Sequence, residues 1–242
     1  MSSDEIKAKY PAGDSRPVLI TEVTRMSNGV YCVAGFDVHS GKMIRPLQPP
    51  ASNWRLTSRD VFAPGNLVAF KYTGARGNGA YPHRTEDTVV AATPNVLEAL
   101  RPEDVYDTLR ESLFPSIAEL YDNQLIENKY VNDGMRCRSL GGVMVSPEQL
   151  QFDEYFGKLR LRIRDNDGTN YSLSVTSDEL RTAFHNDPRE QPNVIGADAW
   201  LASIPRDRQP VLRLGLARAW DGKEQKYDPK RCFLQLNGLI VV

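Results

Sequence analysis

Arginines dominate the residues able to do chemistry in this 242-residue chain. In KLRLRIRD, Arg160, Arg162 and Arg164 alternate with Leu159, Leu161 and Ile163, so a strand here has one apolar face and one face with cations about 7 Å apart. That spacing suits a nucleotide backbone, or a solvent face paired across strands with carboxylates such as Asp165 and Asp167. Trp54 lies beside Arg55 and Arg59 in a Pro- and Ser-containing segment, which allows base stacking with charge, or else a ring capping a core. Lys71, Arg76, Tyr81, His83 and Arg84 bracket the glycine-rich GARGNGA, where stacking on Tyr81 and phosphate contacts are available together; the alternative is a solvated loop. Arg45 precedes Pro46, whose fixed backbone would hold the guanidinium for a phosphate or a base edge, or for an ion pair with a residue such as Asp37.

Other chemistries have less support. His39, His83 and His185 are separated from one another and from Cys32, Cys137 and Cys232, with no CxxC pair and no zinc-ligand spacing, so no disulfide framework, metal site or nucleophile–base pair is indicated. GARGNGA has neither the dinucleotide spacing nor the Lys-Ser/Thr ending of a P-loop, so no nucleotide cofactor is expected. A metal-dependent nuclease would need Glu86, Asp87, Asp165 and Asp167 to converge, which their spacing does not suggest. No catalytic residue is assigned.

Charge divides the chain. Arg16 to Arg84 holds nine cations against three anions, about +6, whereas Glu86 to Tyr130 holds ten anions against three cations, about -7. The first segment could face a polyanion; the second could dock a protein partner or pack against the first. The formal net charge of -1 speaks against an indiscriminate basic coat protein. The N-terminus lacks a secretory signal pattern and no run reaches membrane-span length, so a cytoplasmic protein without membrane association is expected.

Elements to position these residues follow from periodicity and turn signals. PVLITEV, Tyr31 to Phe36, MIRPL, NLVAFKY and TEDTVVA read as strands. From Pro94 the period turns helical: Val96, Leu97 and Leu100 share a face, Pro102 opens a helix with Val105, Leu109 and Leu113 in register, and IAELYDNQLIEN continues after a break at Pro115. Arg136 to Val145 resumes strand, 158–176 reads as a hairpin about the turn at 165–168, Ser177 caps a short helix, and VLRLGLARAW with CFLQLNGLIVV forms a long hairpin. The expected fold is mainly β with a helical insert (α+β): two OB-like small β-barrels at 16–93 and 131–242, joined by an acidic helical connector at 94–130.

The run YCVAGFDVHSGKMIRPL at 31–47 resembles the opening of the bacterial dual OB-fold-containing domain (DuOB-like) proteins, with Arg45 and Pro46 matching an Arg-Pro pair. PGNLVAF, PHRTED, YSLSVT and the closing LRLGLARAW and CFLQLNGLI extend the resemblance over nearly the whole chain. It implies two barrels and nucleic-acid binding, without a catalytic residue. The resulting expectation is a non-catalytic protein that binds single-stranded or structured nucleic acid through a basic first barrel; a protein-interaction adaptor acting through the acidic helices is the alternative.

Overall fold

The computed structural model describes residues 1–26, 29–55, 60–77, 79–91 and 94–242, apart from the side chains of 60, 75 and 76. The chain divides into two compact units, one of residues 1–79, 84–113 and 242, the other of residues 80–83 and 114–241.

In the first unit, β1 (Ser15–Arg25), β2 (Val30–Asp37) and β3 (Lys42–Leu47) form an antiparallel meander, with Gly41 at φ 65° supplying the tight turn before β3. Strand β4 (Asn66–Arg76) pairs antiparallel with β1 and with β5 (Asp87–Val90), and β5 lies parallel to β3, with Arg45 opposite Asp87. The pairing order β1-β2-β3-β5-β4-β1 closes a five-stranded barrel of the OB type. Val18, Ile20, Val33, Ile44, Val68 and Phe70 fill it, and Trp54 packs on Phe62 with ring centroids 4.7 Å apart.

Gly35 lies opposite Ile20 of β1, and a Cβ there would come within 2.5 Å of the Leu19 carbonyl oxygen. Gly35→Ala is therefore expected to cost about 1–3 kcal/mol in a urea melt, because the obstacle is backbone and cannot rotate aside. An unchanged midpoint would show that β1 yields freely at this point.

The region expected to be helical is mostly not. Residues 95–99 form β6 (Asn95–Ala99), with Val96 opposite Val68 on the edge of β4. A segment this short between Pro94 and Pro102 cannot sustain a helix, whereas the open edge of β4 offers backbone partners. Helix α1 (Ser3–Lys9) carries a capping box and joins α2 (Pro102–Leu109) through Ser3 Oγ, which donates to the Thr108 carbonyl at 3.0 Å. The run after Pro115 gives only α3 (Ile117–Leu120), since Asp122 and Asn123 turn left-handed at φ 53° and 57° and end it.

The second unit follows the same strand path. β7 (Leu140–Met144) and β8 (Leu150–Tyr155) are successive halves of its first strand, separated by a 3-10 turn at Pro147–Gln149. β9 (Lys158–Arg164) and β10 (Asn170–Val175) form the hairpin that alternation implied. After α4 (Asp178–Phe184) and α5 (Val194–Ala202) come β11 (Pro210–Leu216) and β12 (Arg231–Val241). β12 lies parallel to β10 and antiparallel to β11, and β11 returns to β7, which closes the ring. Phe152, Leu161, Leu173, Leu212, Leu214 and Leu236 belong to its core. No helix among the described residues is long and apolar enough to cross a membrane.

Candidate nucleic-acid interface

OB barrels meet their ligands on the outer face of the second and third strands and on the loops between the first and second and the fourth and fifth. In the first barrel that face is closed: from Val33 to Asp37 and from Ile44 to Leu47 every residue is buried. Arg45 is only 3% exposed, and its Nη1 donates to Asp87 Oδ1 at 2.6 Å. Burial disfavours its charge, but Cys32, Asp87 and Glu86 outweigh that and hold its pKa above the usual arginine value. Trp54 is also interior, its Nε1 donating to the Pro46 carbonyl at 2.8 Å.

His83 is buried too, its Nε2 2.9 Å from the Leu216 carbonyl. These three residues are corrected from ligand-binding candidates to internal ones, because no ligand reaches them while the barrels stay folded. The ion pair expected for Arg45 forms, but with Asp87 instead of Asp37.

The remaining described first-segment candidates divide between the units, Arg55, Lys71 and Arg84 in the first and Tyr81 in the second. Arg55 and Arg84 are exposed, Lys71 lies 3.7 Å from Asp14, and Tyr81 lies under the Arg136 guanidinium at 5.3 Å from its ring centroid. Arg59 and the side chain of Arg76 fall outside the described residues.

The second barrel has the open face. Along β9, Leu159, Leu161 and Ile163 enter the core, while Arg160, Arg162 and Arg164 stand outside with Ser172 and Ser174 of β10. They line a groove of about 990 Å³ that reaches Gln151, Tyr155 and, on β12, Phe233 and Gln235. The three arginines are not equivalent. Arg160 is fastened down, with Nε on Ser172 Oγ at 2.9 Å, Nη1 on Ser174 Oγ at 3.0 Å and Nη2 on the Ser172 carbonyl. Burial pushes its pKa below the usual arginine value, partly opposed by Asp153 and Tyr155. Arg162 pairs with Asp153 across the strands at 2.5 Å. Arg164 is exposed and, among the described residues, has no ion-pair partner.

The carboxylates expected as partners of this stripe serve elsewhere. Asp165, buried, accepts the Ile117 N–H at 2.7 Å at the start of α3, and Asp167 accepts the Thr169 N–H at 2.8 Å within its own turn.

At the tip between β8 and β9 stand Tyr155 and Phe156, 59% and 83% exposed, with ring centroids 4.4 Å apart. The turn has two consecutive positive φ angles, 51° at Phe156 and 67° at Gly157, and the Gly157 N–H donates to Glu154 Oε1. Such a turn selects Asn-Gly; a bulky residue at its first place is strained by about 1–2 kcal/mol. Tyr155 also lies beside Arg160, whose guanidinium is 6.0 Å from its ring centroid. Exposed rings next to guanidinium groups offer base stacking and phosphate contacts together.

A second aromatic group occupies the loop between β11 and β12. Arg231 lies between Tyr130 and Tyr227, at 4.2 and 3.9 Å from their ring centroids, and Trp220, 46% exposed, packs edge-on against Tyr227. Sequence reasoning missed Tyr155, Phe156, Asp153 and Trp220. The available signal was TyrPheGly between two alternating runs, a two-residue hairpin turn with an aromatic where a turn former is usual.

Of the carboxylates considered for metal chemistry, Glu86 and Asp87 belong to the first unit, and Asp165 and Asp167 to the second. Among the described residues no group of three or more His, Cys, Asp or Glu is placed to hold a metal ion. On α2, Asp104 accepts from Arg101 and pairs with the Met1 amine, so this part of the acidic segment is engaged within its own unit.

Two closed barrels with one strand path, the second with its ligand-type face open, define a tandem OB-fold protein. The sequence matches the dual OB-containing domain over residues 17–239, and the chain belongs to that family. No curated protein matches the chain. Among solved structures it is similar to a crystal structure of the tetrameric p202 HIN2, at 12% identity and a TM-score of 0.33, covering 94% of this chain and 93% of that one. At that score the likeness bears on neither fold nor function.

Proposed function

We propose that this protein binds single-stranded nucleic acid on its second barrel. The observation behind this reading is the pairing of the open β9–β10 face, with Arg162 and Arg164 exposed, and the solvent-facing rings of Tyr155 and Phe156 beside it. A single strand has splayed bases to stack and phosphates to neutralise, and the groove supplies both kinds of contact within one hairpin. A duplex hides its base faces and would gain only the phosphate contacts. In this reading the second barrel takes the place of the first as the ligand-bearing unit, which the interior positions of Arg45 and Trp54 in the first support.

Fluorescence anisotropy with labelled single-stranded DNA, single-stranded RNA and duplex across a salt series tests this. The expected result is salt-sensitive binding that favours the single strands; no binding even at low salt overturns the reading.

Phe156 separates binding from stability. Phe156→Asn creates the Asn-Gly pair that the turn prefers, so the variant should be more stable by about 1 kcal/mol. It should also lose roughly 10-fold in single-strand affinity, because one stacked base is worth about 1–3 kcal/mol. A variant that gains stability and keeps full affinity would remove Phe156 from the site.

A further inference from the structure

We infer that the binding track of the second barrel continues beyond the strand face into a subsite for a further nucleotide of the same strand. This rests on the function proposed above.

A second groove, of about 790 Å³, lies between the 3-10 turn before β8 and the connection from α5 to β11. It shares Glu148, Leu150 and Gln151 with the first groove, so the two adjoin at the start of β8. The volume falls in the range of small-molecule sites, enough for a nucleotide.

Its lining has the parts such a unit needs. Ile204, half-buried, and the exposed Ala202 offer apolar surface against which the face of a base can lie, with Leu201 buried beneath them. The amides of Gln151 and Gln209 are exposed along the groove, each able to donate to and accept from a base edge. Arg206 and Arg208, on the Pro205–Arg208 turn, stand where the strand would leave and supply guanidinium groups for its phosphate. Two carboxylates line the groove and oppose a phosphate there, Glu148 and Asp198, the second also accepting the Phe152 N–H at 2.7 Å.

Beyond Glu148, Leu150 and Gln151, which it shares with the first groove, its lining lies outside the strand face and the two loops that OB barrels ordinarily use. Its occupation would lengthen the footprint and give the strand a defined path over Leu150 and Gln151.

The test is a length series of thymidine homo-oligomers, measured by anisotropy at several salt concentrations on the full chain and on the Arg206→Ala/Arg208→Ala variant. Both arginines lie on a surface turn, and a thermal melt confirms that the variant folds. On the shortest strands that bind, the two proteins should coincide. On longer strands the wild type should keep gaining affinity after the variant has levelled off, reaching about a 10-fold difference. The variant's salt slope should be shallower by about 1.4, at roughly 0.7 for each phosphate left without its arginine.

Gln209→Ala is the second arm. It should weaken the longer strands with no change in salt slope, since the amide carries no charge. Curves that overlay at every length overturn the subsite, as does an equal loss at every length, which would put the arginines within the first groove. A wild type that binds no strand of any length overturns the function proposed above and the subsite with it, whereas wild-type binding with an indifferent variant removes the subsite alone.

Discussion

Replacing Arg160, Arg162 and Arg164 together with alanine should weaken single-strand binding by roughly 100-fold or more. The ground is the open β9–β10 face, where these side chains are the three arginines of the strand that forms the groove floor. Hydrogen bonds to charged groups are worth about 1.5–3 kcal/mol each, so removing two effective guanidinium–phosphate pairs already exceeds the roughly 2.7 kcal/mol of a 100-fold change. The salt dependence should flatten by about 2 in log–log slope if each guanidinium meets a phosphate.

Arg160 also ties β9 to Ser172 and Ser174, so its loss disturbs the sheet as well as the site. The Arg162→Ala/Arg164→Ala pair is the cleaner variant, and it should retain the wild-type melting temperature while losing most of the affinity. Asp153 provides a gain in the opposite direction. With Asp153→Asn, Arg162 has no competing anion and single strands should bind several-fold tighter. If the alanine pair binds as wild type does, the ligand lies elsewhere on the protein.

Arg45→Ala should destabilise the first barrel by about 3–5 kcal/mol, measured as the urea midpoint at constant m-value. Arg45 and Asp87 face each other across parallel strands at 2.6 Å, with side chains 3% and 2% exposed. Removing the guanidinium leaves the Asp87 carboxylate deep in protein without its main countercharge, and it is this uncompensated charge that is costly. The paired variant Arg45→Met/Asp87→Leu should recover most of the loss, because neither charge is then buried alone. Single-strand affinity should be unchanged in the paired variant. Loss of affinity in a variant that folds normally would return Arg45 to the binding site.

How much of this can be read along the chain differs by element. The hairpin at 158–176 is legible because alternation of Leu159, Leu161 and Ile163 with arginine is a period-2 signal, and the turn at 165–168 closes it. The capped start of α4 at Ser177 is equally local. The segment 95–99 misleads, since Val96 and Leu97 between prolines fit a helix face as well as a strand, and the unpaired edge of β4 decides between them. The run from Ile117 carries a helical period, but left-handed backbone at Asp122 and Asn123 ends it after one turn.

The site is legible in chemistry and misplaced in space. Arg45 before Pro46 and Trp54 beside Arg55 look in one dimension like residues held out for a ligand, and in the fold both are packed inward. The stripe at Arg160, Arg162 and Arg164 is evident with its orientation, yet its partner is Asp153 on the preceding strand and not the carboxylates adjacent in sequence.

Residue order is enough for β-rich architecture, two small barrels, the apolar side of each strong strand and the cationic side of β9, because these depend on periods and turns spanning a few residues. Which barrel keeps its outer face open, that both barrels follow one strand path, and which arginines are engaged with protein are settled by contacts between residues far apart in the chain. Arg45 meets Asp87 only because β3 and β5 lie side by side, and Tyr155 reaches solvent only because the β8–β9 turn projects from the closed barrel. Burial is a property of the closed sheet and not of any single strand, so arginines alike in sequence become, in one barrel, half of a core ion pair and, in the other, the floor of a groove.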